Sequence, residues 1–314
     1  MNIWLLSTLQ ALLFVLLAPL FTAWVKRLKC HLQNRRAPSL LQPYRDLRRL
    51  FSKQVIVASS ASRLFRTAPY IIAGATLLAA TVVPFLAVNL PTAAIADVIV
   101  LAGFFALARF FLALAGMDVG TAFGGMGSSR EMIISALAEP AMLMAVFTLS
   151  MVATSTNLSN VINHILADGL VLRPSMLFAL LSLLLVAVAE TGRIPVDNPA
   201  THLELTMVHE AMILEYSGRH LALIEWASQL KLMIYGVLIA NIFFPWGIAT
   251  QTDLASMAIA FGSIVLKLML LGVVLAISET AVAKMRLFRV PAFLILALTL
   301  ALIGLLSHII LEVN

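Results

Sequence analysis

Apolar runs of about 20 residues follow one another along most of the chain, and each is long enough to cross a bilayer as a helix. Proline and glycine occupy many of the breaks between runs, and the GGMG segment at 124–127 predicts a flexible turn. The pattern predicts an all-α integral membrane protein with about eight transmembrane helices in one polytopic domain, 1–314. The predicted spans are 3–25, 69–90, 95–117, 132–156, 174–190, 221–244, 254–278 and 291–311.

Composition also indicates a membrane protein. Hydrophobic residues make up 61% of the 314 residues and charged residues 11%, with a mean hydropathy of +1.01. A soluble domain carries about 25% charged residues, so a chain this apolar could not hide its surface from water. The one cysteine, Cys30, excludes an internal disulfide and a cysteine-rich iron–sulfur or zinc site. We expect the first apolar run to be a retained helix, because no positively charged segment precedes it as in a signal peptide.

The distribution of lysine and arginine predicts the orientation. Eleven of the 21 basic residues lie between the first two spans, in a basic loop at 26–68. Seventeen lie in or beside the odd-numbered connections, and one, Arg173, lies in an even-numbered connection. Because basic loops stay on the cytoplasmic side, we expect the odd connections to be cytoplasmic and both termini to be periplasmic, in the inner membrane. The net charge of +6 then reflects orientation, and no nucleic-acid partner is expected.

A short amphipathic helix is predicted within the basic loop. Leu40, Tyr44, Leu47 and Phe51 recur at helical spacing, while arginines occupy the other faces. Such a helix lies in the membrane interface and contacts phospholipids. Two interpretations remain open: a lipid anchor alone, or an anchor that also forms part of a docking platform for another subunit.

Charged residues also occur inside the predicted spans, where they are costly and commonly functional. Arg109 is expected to form an ion pair with a carboxylate of a neighbouring helix, with extension of its side chain to the membrane interface as the alternative. Lys231 and Lys267 are further candidates for such pairs. Glu139 precedes Pro140, whose ring disturbs the helix beside the carboxylate. We interpret Glu139 as part of a proton relay, with a buried structural hydrogen bond as the alternative.

Six acidic residues lie in or beside a predicted cytoplasmic loop at 190–220. They are Glu190, Asp197, Glu204, Glu210, Glu215 and Glu225. Carboxylates near membrane depth exchange protons when burial shifts their pKa values. We therefore expect this acidic loop to contact both a soluble partner and the start of a proton route, with Asp197 also shaping its turn.

No pattern in the sequence indicates catalysis by this chain. It has no nucleophile–histidine–acid set, phosphate-binding loop or dinucleotide fingerprint. His202, His209 and His220 share the acidic loop, but their spacing is wider than metal sites usually show. We predict neither a catalytic residue nor a metal ligand.

Motifs in two cytoplasmic connections resemble those of one family. The first connection carries LQNRR at 32–36, LQPYRDL at 41–47 and LFSK at 50–53, and the fifth carries AETGRIPVD at 189–197 and EYSG at 215–218. Together they are similar to the membrane subunit that anchors the peripheral arm of respiratory complex I, known as the ND1 or H-type subunit. In finer detail the chain resembles the hydrogenase branch of that family, which is the anchor subunit of formate hydrogenlyase-type (group 4) NiFe hydrogenases. Those details are RRAP at 35–38, GSSRE at 127–131, Glu139–Pro140 and the basic segment 284–289.

The resemblance implies roles for particular residues. It implies a proton path through Glu139, Glu190, Glu204, Glu215 and Glu225. It also implies that Arg193 packs against the peripheral arm and that Asp197 is one of the acids of the cytoplasmic connection. Structural or ion-pairing roles are thus expected for Arg193 and Asp197 and, from their positions inside the spans, for Arg109, Lys231 and Lys267. Partner docking is expected at Arg35, Arg36, Gln42, Arg45, Asp46 and Arg130.

The implied partners are hydrogenase large and small subunits, iron–sulfur subunits and an antiporter-like membrane subunit. The NiFe centre and iron–sulfur clusters would belong to those partners, and this chain would hold no cofactor. Ala200 and His202 depart from complex I subunits, which commonly have glutamates there. Two alternatives stay open: a quinone-site subunit of a complex I-type NADH dehydrogenase, and a standalone cation transporter.

Overall fold

The computed structural model describes residues 3–88, 90–169, 173–197, 207–251 and 253–312 as an α-helical bundle. The helices are α1 (Ile3–Leu32), α2 (Gln42–Ser52), α3 (Arg63–Val82), α4 (Val98–Asp118), α5 (Ala122–Val152), α6 (Leu158–Asp168), α7 (Pro174–Glu190), α8 (His209–Ile213), α9 (Gly218–Phe243), α10 (Leu254–Ala281) and α11 (Val290–Ser307). Short 3₁₀ segments, Pro91–Ile95 and Leu287–Arg289, precede α4 and α11, and a π-helical turn, His308–Glu312, ends the described chain.

The predicted all-α membrane fold is confirmed. In the described ranges, seven helical segments are long and apolar enough to cross a membrane, namely α1, α3, α4, α5, α9, α10 and the α11 segment 287–312. The remaining predicted span is α7, an apolar helix of 17 residues. At about 1.5 Å per residue it is about 26 Å long, slightly less than the hydrocarbon core of a bilayer.

The prediction of a span at 69–90 is wrong at both of its ends. Helix α3 begins at Arg63 and ends at Val82, because Pro84 forces the residue before it out of the helical region. Residues 83–88 continue as buried, non-helical backbone. The Gln10 side chain accepts hydrogen bonds from the amides of Leu86 and Ala87 at 3.2 and 3.3 Å. Buried peptide groups need hydrogen-bond partners, and Gln10 of α1 supplies two of them to this segment.

Asn241 on α9 supplies the second set of these hydrogen bonds. Its Nδ2 donates to the carbonyl oxygens of Pro84 and Phe85 at 2.9 and 3.1 Å. The backbone of Ala249 also pairs with this segment, in a single parallel β-bridge with Ala87. The non-helical segment is thereby fixed between α1, α9 and the connection after α9.

The turn predicted at 124–127 is also wrong, because these residues lie within the first two turns of α5. Thr121 caps this helix by accepting the amide of Gly124 at 3.2 Å. A β-carbon on Gly124 would overlap the carbonyl oxygen of Gly116, and one on Gly127 would lie 2.9 Å from Ala211. Glycine is required here by close helix packing, and α5 begins ten residues before the predicted span.

Contacts gather the connections at two ends of the bundle. Ser62 donates its amide to Asp118 at 2.8 Å, Ser217 bonds with Ile56, and Met285 donates its amide to Pro195 at 2.9 Å. These contacts bring the segments 33–62, 119–121, 191–197, 207–217 and 282–289 together at what we call the basic end. Segments 83–88, 90–97, 153–157 and 244–251 lie at the opposite end, where Thr156 donates to Asp97 at 2.6 Å.

The amphipathic helix expected in the basic loop is α2. Leu47 is buried, and the Phe51 ring meets Trp226 of α9 edge-on with centroids 6.5 Å apart. Tyr44 donates its hydroxyl to the Leu16 carbonyl of α1, while Arg45 and its neighbours stay exposed. Burial raises the pKa of the Tyr44 phenol, so it remains a donor. Helix α2 therefore packs across α1 and α9 and presents an arginine-rich face outward.

Candidate functional site

The centre of the bundle holds a buried guanidinium surrounded by three carboxylates. Arg109, about three turns into α4, is only 5% exposed. Its Nη1 lies 2.6 Å from Glu139 Oε1, its Nη2 contacts Glu190 Oε2, and its Nε lies 3.6 Å from Glu131 Oε1. The carboxylates come from α5 and α7, so one arginine joins three membrane helices. An unpaired charge at this depth would be strongly destabilising, which explains the surrounding acids.

A second cation completes the set. Lys231 of α9 lies 2.8 Å from Glu190 Oε2, and its Nζ is 5.8 Å from the centroid of the Phe105 ring. We call Arg109, Glu131, Glu139, Glu190 and Lys231 the charge cluster. Three carboxylates face two cations, so the fully ionised cluster carries one excess negative charge. Uptake of one proton would make it neutral.

Aromatic side chains form one wall of the charge cluster. Phe105 stacks on Tyr235, with ring centroids 5.2 Å apart and planes 13° apart. The Tyr235 hydroxyl donates to the sulfur of Met142 at 3.2 Å, and the tyrosine is 1% exposed. This apolar wall lowers the local dielectric and strengthens the ion pairs beside it.

The three carboxylates differ in their access to the outside of the chain. The Glu190 side chain is 2% exposed and that of Glu131 is 17% exposed, but the Glu139 side chain is 39% exposed. Glu139 lies 17 residues from the start of α5, about 25 Å along it, and is therefore near the middle of the bundle. The cluster thus runs from a buried acid at the end of α7 to an acid that opens sideways at α5.

Glu131 was missed by the sequence analysis because the predicted span began one residue after it. Glu131 and Glu139 are eight residues apart, which places them on the same face of one helix. That spacing would have indicated the pair once α5 had been extended to its true start.

A second ionic group ties the basic end together. Glu279, 4% exposed near the end of α10, lies 2.8 Å from Lys29 Nζ and 3.0 Å from Arg193 Nη1. Asp197 lies 2.9 Å from Lys284 Nζ, and its other oxygen accepts the amides of Val208 and His209 at 3.3 Å. Sequence reasoning missed Glu279 because its two partners are distant in the chain and meet it through tertiary packing alone.

Other residues expected on the proton path are dispersed. Glu225 is half-buried on α9, Glu215 is exposed at the basic end, and Glu204 lies outside the described residues. His209 is half-buried, and burial lowers the pKa of its imidazole while the nearby Glu225 opposes that shift. Lys267 contacts the amide oxygen of Asn241 at 3.4 Å, where the sequence had suggested a carboxylate.

Most of the residues expected to dock a partner lie in the basic loop, and one lies on a membrane helix. Arg35 and Arg36 are exposed after α1, and on α2 Gln42 donates to Asp46 at 2.8 Å while Arg45 contacts the Ser39 hydroxyl. Arg130, counted from the sequence as a loop residue, lies within α5. Its guanidinium donates to the Met207 carbonyl at 2.8 Å, so it also holds the connection between α7 and α8.

Within the described part of the chain, no group of three or more His, Cys, Asp or Glu side chains is arranged so that it could hold a metal ion. The ionisable groups at the centre of the bundle are instead engaged in ion pairs. This arrangement is suited to holding and moving protons.

Comparison with known proteins agrees with this architecture. The chain is 33% identical to hydrogenase-4 component C of Escherichia coli over 88% of its length and 87% of that protein. It is 31% identical to formate hydrogenlyase subunit 4 of the same organism, over 90% and 91% of the two chains. It is 27% identical to NADH-quinone oxidoreductase subunit 8 of Rhodothermus marinus over 67% of its length and 62% of that protein.

A solved structure shares the fold. A chain of the membrane-bound sulfane sulfur reductase, an archaeal respiratory membrane complex, matches 98% of this chain with a TM-score of 0.79, at 16% identity and over 99% of its own length. A family model described as NADH dehydrogenase matches residues 6–309. The chain therefore belongs to the NADH dehydrogenase family, and the resemblance to the hydrogenase branch drawn from its loop motifs is confirmed.

Proposed function

We propose that this chain is the membrane anchor and proton-coupling subunit of a membrane-bound NiFe hydrogenase complex of the formate hydrogenlyase type. Its similarity to formate hydrogenlyase subunit 4 and hydrogenase-4 component C over nearly their full lengths supports this assignment. Catalysis would occur on the NiFe centre and iron–sulfur clusters of partner subunits. The hydrogenase large and small subunits and the iron–sulfur subunits would dock at the basic end, on the cytoplasmic side of the inner membrane.

The observation that carries the proposal is the unequal charge of the charge cluster. The cluster has three carboxylates but only two cations, so one carboxylate has no cation of its own. Such a cluster takes up one proton more easily than a cluster with equal numbers of acids and cations. Binding or release of that proton switches the cluster between neutral and negative. In a buried site, such a switch changes the forces on all four helices that supply its residues.

Glu190 is the connection between docking and the charge cluster. It is the last residue of α7, and the acidic loop that would contact the peripheral arm begins directly after it. A carboxylate at the negative end of a helix dipole is unfavourable, so Glu190 depends on Arg109 and Lys231. Movement of the loop would alter those two contacts first, and with them the protonation of the cluster.

Glu139 supplies the lateral exit from the charge cluster. Glu139 pairs with Arg109, but 39% of its side chain is exposed near the middle of a membrane helix, where a polar group of another subunit would cover it. The antiporter-like membrane subunit would provide it and would receive the proton. Glu215, His209 and Glu225 would form the entry side from the basic end, with Glu204 in the same loop.

The test replaces each end of the cluster by a neutral isostere. Glu190→Gln and Glu139→Gln should each lower formate-driven hydrogen evolution and the associated proton movement by about tenfold or more, while native gels show normal assembly. Asp168→Asn, an exposed acid at the end of α6 that pairs with Arg173, is the matched control and should keep normal activity. Full activity in both glutamate variants would overturn the relay.

A second candidate is a quinone-site subunit of a complex I-type dehydrogenase, favoured by the similarity to an NADH-quinone oxidoreductase subunit. Quinone analogues would then inhibit the assembled complex, which would contain flavin and oxidise NADH. Nickel in the purified complex and no inhibition by those analogues would support the hydrogenase assignment. The transporter alternative predicts cation counter-flow by the purified single chain in liposomes.

A further inference from the structure

An apolar cavity opens between α5 and the start of α11. Its volume is about 160 Å³, and its walls include Ile133, Ile134, Leu287, Phe288 and Leu294. Leu294 is fully buried, while Ile133 is 56% and Phe288 93% exposed, so the cavity has a closed floor and an open apolar rim. A large aromatic side chain this exposed would be unfavourable in water, which indicates that the membrane covers the rim.

The position of the cavity places its mouth at the membrane boundary. It lies at the basic end, where the connection after α10 turns into α11. From Val290 onward α11 is uncharged to its end at Ser307, whereas lysine and arginine occur in the residues just before it. The apolar walls therefore face the hydrocarbon, and the rim lies at the level of lipid headgroups.

Two arginines flank the mouth without a partner among the described residues. Arg286 and Arg289 are exposed, adjoin Leu287 and Phe288, and form no side-chain hydrogen bond or ion pair within the described ranges. A third, Arg130, lines the cavity and has one guanidinium nitrogen on the Met207 carbonyl.

The chain segment that contains Arg286 and Arg289 supplies no acid to neutralise them, because no Asp or Glu occurs between Thr280 and Leu311. Described acids at the same end of the bundle pair with other cations: Glu279 with Lys29 and Arg193, and Asp197 with Lys284. Glu131, next to the cavity-lining Arg130, faces Arg109. Guanidinium groups bind phosphate oxygens in a planar, two-pronged geometry. The mouth therefore combines two arginines that no described acid neutralises with an apolar cavity directly below them.

We propose that this cavity binds one anionic phospholipid, with its phosphate on Arg286 and Arg289 and an acyl chain against Ile133 and Leu294. Charge complementarity selects the headgroup, and the apolar lining selects a hydrocarbon tail. The site is separate from the basic loop around α2 and does not depend on the proposed hydrogenase function. By joining α5 to the connection 282–289, the lipid would fasten the helix that carries Glu131 and Glu139.

The experiment measures lipid binding to the full-length chain purified in detergent, by native mass spectrometry with added phosphatidylglycerol, phosphatidylcholine or inorganic phosphate. Phosphatidylglycerol should bind at least tenfold more tightly than phosphatidylcholine, and phosphate alone should not bind. Each arginine is expected to contribute about fivefold, so the double variant Arg286→Gln, Arg289→Gln should bind about 25-fold more weakly. Arg63→Gln, an exposed arginine of α3 at the same end, should leave binding unchanged.

A second variant tests the acyl-chain site without changing charge. Ile133→Trp should fill the mouth of the cavity and weaken phosphatidylglycerol binding about tenfold. Ile259→Trp, at a similarly exposed position on α10, is its control. Equal binding of the two lipids, binding of phosphate as tight as that of phosphatidylglycerol, or unchanged affinity in both the double and the Ile133 variants would overturn the proposal.

Discussion

The Arg109 side chain lies in a buried ionic environment. It is nearly fully buried and its guanidinium is shared among Glu131, Glu139 and Glu190. Removing one member of a buried ionic group leaves uncompensated charge and costs about 3–5 kcal/mol, whereas replacing both members costs much less. The acids here outnumber the cations, so loss of the arginine is more harmful than loss of any one acid.

We expect Arg109→Met to lower the free energy of unfolding by about 3–5 kcal/mol, because three carboxylates would then share Lys231 alone. Glu139→Gln should cost much less, since its side chain is more than a third exposed. Thermal unfolding of the purified proteins in detergent measures both changes.

The matched control for this prediction is the double variant Arg109→Met, Glu190→Gln. It removes a cation together with the acid that it contacts and should be more stable than Arg109→Met alone. Equal stability of Arg109→Met and Glu139→Gln would show that the cluster is solvated and would contradict this account.

Sequence reasoning identified some members of the charge cluster and missed others for a physical reason. Charged residues in apolar runs are conspicuous, so Arg109, Glu139, Glu190 and Lys231 could all be named from the sequence. Their partners could not, because pairing depends on how helices rotate and pack. Glu279 is the clearest case, since its cations come from α1 and from the connection after α7.

Packing against α4 and α8 determines where helix α5 begins. Glycine usually marks turns, and three glycines in four residues predicted one at 124–127. In the structure the same residues let α5 approach α4 and α8 at backbone distance, with Gly124 against Gly116 and Gly127 against Ala211. Apolar periodicity predicted the helices well, but it could not distinguish a glycine that ends a helix from a glycine that admits a neighbour.

Adjacent glycines of α5 provide a direct test of this packing. Gly124→Ala should destabilise the protein by about 1–3 kcal/mol, because its β-carbon would overlap the Gly116 carbonyl oxygen. Gly125→Ala meets nothing within 4 Å and should be neutral or stabilise by about 0.5–1 kcal/mol through helix propensity. Thermal unfolding compares the two variants, and similar effects from both would mean that α4 and α5 do not pack this closely.

Across the whole bundle, the distribution of basic residues and the packing of the connections lead to one arrangement. The odd-numbered connections hold most of the lysine and arginine, and their contacts gather them at the basic end. The acidic connection after α7 shares this end through the ion pairs of Arg193 and Asp197. A soluble partner that docks here would contact the basic loop, α2 and the connection that follows Glu190.

The predicted orientation, with the basic end in the cytoplasm, can be measured with thiol labelling. The native Cys30 is first replaced by serine, and single cysteines are introduced at Ser59, exposed at the basic end, or Leu254, exposed at the opposite end. Because basic connections remain cytoplasmic, a membrane-impermeant maleimide should label Ser59→Cys in inside-out vesicles and Leu254→Cys in intact spheroplasts. The reverse pattern would place the basic end in the periplasm, where it could not receive a cytoplasmic hydrogenase arm, and would overturn the docking proposal together with the orientation.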